Sequence, residues 1–215
     1  MDEIQERILM EVADLHGVPE GAYNIRANGK LASRSTTANI DITTKEDVSG
    51  IDIRIKPGTK HESVHIPVVV SESGLKDMVY NDFYIGEDCD VVIVAGCGIH
   101  NCGDQDAEHD GIHRLYVGKN AKVKYVEKHY GEGDGRGKRI LNPLTEVHME
   151  ENSYVEMEMV QIKGVDSTDR VTNAELAAGA KLIVRERLLT HGTQSAVSTY
   201  VVDLNGDDAS TDLVS

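Results

Sequence analysis

The 215-residue sequence has no Trp, one Phe and three Cys. With only eight Tyr besides, a core poor in large aromatic side chains must be filled mainly by aliphatic ones. Abundant Val and Ile together with 20 Gly suit many short strands rather than long helices. An odd, small number of Cys argues against a disulfide framework and leaves packing, metal binding or redox chemistry. No apolar run approaches the roughly 18 to 20 residues needed to span a bilayer. The start, Met1-Asp2-Glu3, is acidic and is followed by neither a cationic stretch nor an apolar signal core, which predicts a cytoplasmic protein. Basic charge is also scarce: 22 Lys and Arg stand against 37 Asp and Glu, a formal charge of −15. That field repels phosphate backbones and anionic membranes, so neither nucleic acid nor a membrane is expected as a partner. No Gly/Ser-rich or Pro-rich linker divides the chain, and its length suits one domain.

Residues 1–20 read as an amphipathic helical segment. Ile4, Ile8, Val12 and Leu15 recur at helical period, Asp2 is placed to cap, and Gly17 and Pro19 are stop signals. It is expected to lay its apolar stripe on the main fold. Residues 21–215 read as all-β. Ala38 to Thr43, Ile51 to Ile55 and Ser63 to Val70 are strand-like, with Ile51, Ile53 and Ile55 on one face and Asp52 and Arg54 on the other. Pro57-Gly58 marks a turn, and Val68-Val69-Val70 implies a strand covered on both sides.

A weak repeat organises the rest. Cys89, Ala121, Ser153, Ala180 and Ala209 each follow Asp, Asn or Gly and precede an alternating strand, at steps of 32, 32, 27 and 29 residues. Such steps fit stacked coils, so the fold expected is a β-helix or related β-solenoid. A β-sandwich would instead place hairpin turns between strands, and none of Asn28-Gly29, Asp110-Gly111 and Asn205-Gly206 sits cleanly in that position by pattern. The glycine-alternating run Gly131 to Gly137 reads as a flexible excursion between repeats; it lacks the Lys-Ser/Thr ending of a phosphate-binding loop.

Chemistry-bearing residues concentrate in one stretch. Cys97-Gly98-Ile99-His100-Asn101-Cys102-Gly103, followed by His109 and His113, puts two Cys and three His within 17 residues, with Cys89 upstream. Thiolate and imidazole bind zinc, iron and iron–sulfur clusters, and flanking glycines would let the backbone converge them. The candidate metal ligands are therefore Cys97, His100, Cys102, His109, His113 and Cys89. For Cys89 the competing role is small-residue packing at its repeat position, as for Ala121. His129, His148 and His191 read as surface or turn residues. Asp and Glu are spread without a catalytic pair, which leaves little for a calcium-dependent carbohydrate enzyme.

The segments Ile66 to Val70, Gly96 to Gly103, Asp110 to His113, Tyr116 to Ala121 and Val126 to Gly133 resemble the SufB/SufD family of iron–sulfur cluster assembly scaffolds, in its short archaeal and clostridial form. The resemblance implies a right-handed parallel β-helix, a scaffold role in the SUF system beside an ABC-type ATPase, and pairing with a second copy or paralogue as a dimer. A transient iron–sulfur cluster or iron would be the group handled. Family members carry further coils and a C-terminal helical segment that docks the ATPase. This sequence stops at Asp212-Leu213-Val214-Ser215, within what reads as an unfinished coil, so the family's C-terminal functional residues have no counterpart here. An unfinished coil predicts association through its open edge. The other reading of the same ligands is a zinc-stapled β-solenoid that holds a partner.

Overall fold

A computed structural model describes residues 1–13 and 21–215 and shows a parallel β-solenoid of about six turns behind one short helix. One sheet contains β1 (Ala22–Ala27), β2 (Lys30–Ser35), β5 (Lys60–His65), β6 (Val68–Val70), β8 (Asp90–His100), β10 (Lys122–Glu132), β13 (Tyr154–Lys163), β15 (Lys181–Leu188) and β17 (Ser210–Val214). The facing sheet contains β3 (Ile40–Thr44), β4 (Gly50–Ile55), β7 (Lys76–Ile85), β9 (Ala107–Val117), β11 (Arg139–Leu141), β12 (Leu144–Met149), β14 (Ser167–Leu176) and β16 (Ser195–Leu204). Successive coils pair in parallel: β8 with β10, β10 with β13, β13 with β15 and β15 with β17.

The repeat expected from sequence is the coil register itself. Val91, Val123, Val155, Leu182 and Thr211, each two residues past the small residue, align through the ladder. The residue before the small one is left-handed every time: Asp88, Asn120, Asn152, Gly179 and Asp208, at φ between 56° and 67° across Asn120 to Gly179. Gly58 before Thr59 extends the series one coil upstream. Only Gly, Asn and Asp take that conformation cheaply, which is why these types recur. The small side chain then enters the crowded corner, where Cys89, Ala121 and Ala180 are fully buried.

Inside the corner half of the lumen, alternate residues of both sheets form the largest apolar cluster, with Ile53, Phe83, Ile93, Leu115, Val147, Met157 and Leu182 among its members. Val68-Val69-Val70 is buried on both faces, as expected: Val69 packs under the helix, while Val68 and Val70 join a second interior cluster with Cys97, Ile99, Ala107, Leu141 and Val165.

Two expectations are corrected. Asn28-Gly29 does join two strands: β1 and β2 pair antiparallel, and Ala27 faces Lys30. Both turn residues have positive φ, as a two-residue hairpin of the I′ kind requires. Residues 131–137 are no flexible excursion. The segment stacks backbone on backbone over Asn101 to Gln105, with Gly135 N–H donating to Asn101 O and Gly137 N–H to Gly103 O. A Cβ on Gly137 would lie 1.9 Å from Gln105 O.

The helix α1 (Glu3–Ala13) begins with a reciprocal cap: Gln5 N–H donates to Asp2 Oδ1 (2.8 Å), and Asp2 N–H to Gln5 Oε1 (3.3 Å). Its buried stripe is Gln5, Ile8, Leu9, Val12 and Ala13; Ile4 is exposed, one step off the expected face. Leu15, Gly17 and Pro19 lie outside the described residues. Among the described residues no helix is long and apolar enough to cross a membrane.

The corner rule is testable. Asn152→Gly should leave stability nearly unchanged, whereas Asn152→Val, a β-branched residue forced to φ near 57°, should cost about 1–2 kcal/mol in urea unfolding.

Candidate functional site

The strand β8 carries Gly96-Cys97-Gly98-Ile99, and the period of two divides it by face. Gly96 and Gly98 point outward beneath α1. A Cβ on Gly98 would come within 2.0 Å of Ile8 Cγ2, and one on Gly96 within 2.3 Å of Val12 O. These glycines therefore seat the helix; they do not bend the backbone around a ligand, as the sequence pattern suggests. Cys97 and Ile99 point into the lumen.

There Cys97 has two imidazole neighbours. His129 occupies the matching position of the next coil, on β10. His109 comes from the facing sheet, where β9 aligns it with Asp77 of the preceding coil; His109 Nδ1 is 3.1 Å from Asp77 Oδ2. His109 acts on the sulfur first through charge and then through hydrogen bonding. Burial pushes the Cys97 thiol up, but His109 and then His129 outweigh it and bring it down to about 7. Burial likewise opposes a charged His109, while the Cys97 thiolate and Asp77 raise it to about 10. The Cys97 thiol is thus poised to ionise near neutral pH, beside an imidazole whose charged form the site favours.

This pair is the middle of a chain of ionisable side chains through the solenoid. At one end Arg26 reaches Asp77 at 3.2 Å. Beyond Cys97, His129 Nε2 lies 3.0 Å from Glu127 Oε1, and burial's pull on His129 is overcome chiefly by Glu127, so that it too is raised. Arg170, fully buried, donates to the same Glu127 oxygen, and its Nε sits 3.3 Å from Glu186 Oε1. Burial would raise the Glu127 carboxyl, yet Arg170 and His129 hold it well below the usual range. Glu186 is completed by the hydroxyls of Ser198 and Ser215. The order is thus Arg26, Asp77, His109, Cys97, His129, Glu127, Arg170, Glu186, and Arg170 Nη2 also lies 3.4 Å from His129 Nδ1.

A side branch leaves Glu127. The Tyr125 hydroxyl donates to Glu127 Oε2 at 2.6 Å and lies 3.0 Å from His113 Nδ1. With its one proton committed to Glu127, the hydroxyl must accept from His113. Burial depresses His113 to about 4, so it is a neutral donor beside the charged series.

The six residues expected as a ligand set divide into separate places. Cys97 and His109 meet in the lumen, and His113 lies beside His109 across Gly111, hydrogen-bonded to Tyr125. Cys102 and His100 pair outside the lumen, with Cys102 Sγ 3.0 Å from His100 Nε2. Cys89 sits in the coil corner and donates to Lys56 O, in keeping with its packing role. Among the described residues no group of three or more His, Cys, Asp or Glu is arranged to hold a metal ion. His148 is half-exposed and stacked on Tyr116, and His191 precedes the turn at Gly192.

His129, expected at the surface, is 1% exposed. Its burial was readable: Val123, Tyr125, Glu127 and His129 share one face by alternation, and Val123 fixes that face as the inner one. The same rule places Arg170 inside with Thr168, Thr172, Ala174 and Leu176. No family model matches this chain, and no curated protein matches it.

The charge state of Cys97 can be read directly. In a Cys89→Ser, Cys102→Ser background, thiolate absorbance should rise through a midpoint at about 7. His109→Ala removes the largest opposing charge, so the midpoint should move up by at least about 1 pH unit.

Proposed function

We propose that this chain is a scaffold subunit for iron–sulfur cluster assembly of the SufB/SufD kind, in which Cys97 carries sulfur inside the solenoid. The observation that carries the reading is the placement of Cys97, 6% exposed, beside His109 and His129, which together draw its thiol down to about 7 and so favour the thiolate. A thiolate is the form that takes sulfur. It attacks the terminal sulfur of a donor persulfide, the donor's S–S bond breaks, the donor leaves as a thiolate, and Cys97 keeps the atom as its own persulfide. The anion before and after the step sits in the same field, so His109 and His129 stabilise both. Burial among Ile99, Ala107 and Leu141 shields the carried sulfur from water and oxidants.

The cluster is cargo in this reading, and Cys97 is a sulfur position rather than a resident cluster's ligand. An ABC-type ATPase and a second copy or paralogue of the chain are the proposed partners, and the cytoplasm the proposed compartment. The resemblance of Gly96 to Gly103 and Val126 to Gly133 to that family supports the choice of system. The stacked-coil fold is of the kind it implies.

The test is iron, acid-labile sulfide and persulfide content of protein purified without oxygen. The parent should carry iron and sulfide in near-equal amounts, and Cys97→Ser should lose most of both. Zinc alone in the parent, or unchanged iron and sulfide in Cys97→Ser, contradicts the proposal.

A further inference from the structure

A second thiol, imidazole and carboxylate lie in line at the surface, outside the lumen series. His100 ends β8, and Glu132 occupies the matching position of the next coil on β10. His100 Nδ1 is 2.9 Å from Glu132 Oε1, and His100 Nε2 is 3.0 Å from Cys102 Sγ. Since the carboxylate holds the proton on Nδ1, the Nε2 lone pair faces the thiol, the tautomer a base needs.

The carboxylate is held from two further directions. Tyr130 donates to Glu132 Oε2 at 2.9 Å, and Arg7 of α1 donates to Oε1. Tyr130 itself packs in the cluster that seats α1, with Ile8 and Leu9. The backbone on either side of Cys102 is held as well. Asn101 donates through Nδ2 to Gln105 O (2.8 Å) and Lys138 O (3.2 Å), and Gly103 N–H donates to Asn101 Oδ1. Residues 133–137 lie directly over this bend. Of the three cysteines, Cys102 is the exposed one.

We propose that Cys102 is a base-assisted nucleophile that exchanges with small disulfides, with His100 as its base and Glu132 as the residue that positions His100. His100 Nε2 takes the thiol proton, and the thiolate attacks one sulfur of the disulfide. The S–S bond of the disulfide breaks as the Cys102–S bond forms, and the departing thiolate takes the proton back from His100. Cys102 is oxidised to a mixed disulfide, the departing half is reduced to a thiol, and excess thiol reverses the step. This is a modification site separate from Cys97, and it stands whether or not Cys97 carries sulfur.

The probe is bis(2-hydroxyethyl) disulfide, which is neutral and so indifferent to the protein's −15 charge. Reacted with the full chain near neutral pH and followed by intact mass and peptide mapping, it should add once, at Cys102. The native rate should exceed that of Cys102 in the urea-unfolded chain by about tenfold or more, the gain expected of a positioned base. His100→Gln and Glu132→Ala should fall toward the unfolded rate, and Glu132→Gln, which keeps an acceptor for Nδ1, should recover much of the loss. Modification first at Cys97 or Cys89, a native rate equal to the unfolded one, or an unchanged rate in folded His100→Gln overturns the proposal.

Discussion

Parallel, in-register stacking is the constraint on which the rest of this structure depends. Each coil lies about 4.8 Å from the next, so an inward side chain meets the same position of the neighbouring coils. An apolar residue gains a column of contacts from this, and a polar one must find its partner within one coil or across the lumen. His109 stands over Asp77 and His129 beside Cys97 because the ladder puts them there. The same spacing brings Glu132 to His100 on the outer face, so one geometric rule builds both the buried and the exposed thiol arrangements.

The buried series is costly to form. Removing an ion from water costs several kcal/mol after relaxation, and a pair recovers that only when its geometry is good and its remaining atoms are satisfied. Here no charge stands alone: Asp77 lies between Arg26 and His109, Glu127 between His129 and Arg170, and Arg170 between Glu127 and Glu186. Apolar clusters close the band on both sides, at the coil corner and toward Ile99 and Leu141. Within that low dielectric each interaction is strengthened by its neighbours, which is how a thiol only 6% exposed is drawn down to about 7.

Much of the fold was legible because its rule is local. The left-handed residue before each small corner residue shows in sequence as Asp, Asn or Gly before Cys89, Ala121, Ser153, Ala180 and Ala209, and those spacings are the coil steps. The site was half legible. Cys97 and His109 stood out by residue type, yet their separation from Cys102 and His100 depends on which way each faces, and Gly96 and Gly98 misdirect by seating α1 while resembling a ligand loop. Glu127, His129 and Arg170 were within reach of simple alternation. Asp77 was within reach as well, since β7 and β9 align at the same 32-residue step that separates Cys89 from Ala121.

The central claim is that His109 is a buried imidazolium paired with a Cys97 thiolate. Nitrogen NMR of histidine-labelled protein at about pH 8 tests it most directly, because the chemical shifts of the two ring nitrogens report whether each bears a proton. The account predicts that His109, raised to about 10, shows both nitrogens protonated, while His113, depressed to about 4, shows one. A His109 ring with a single protonated nitrogen would mean a neutral pair in the lumen and would contradict the account.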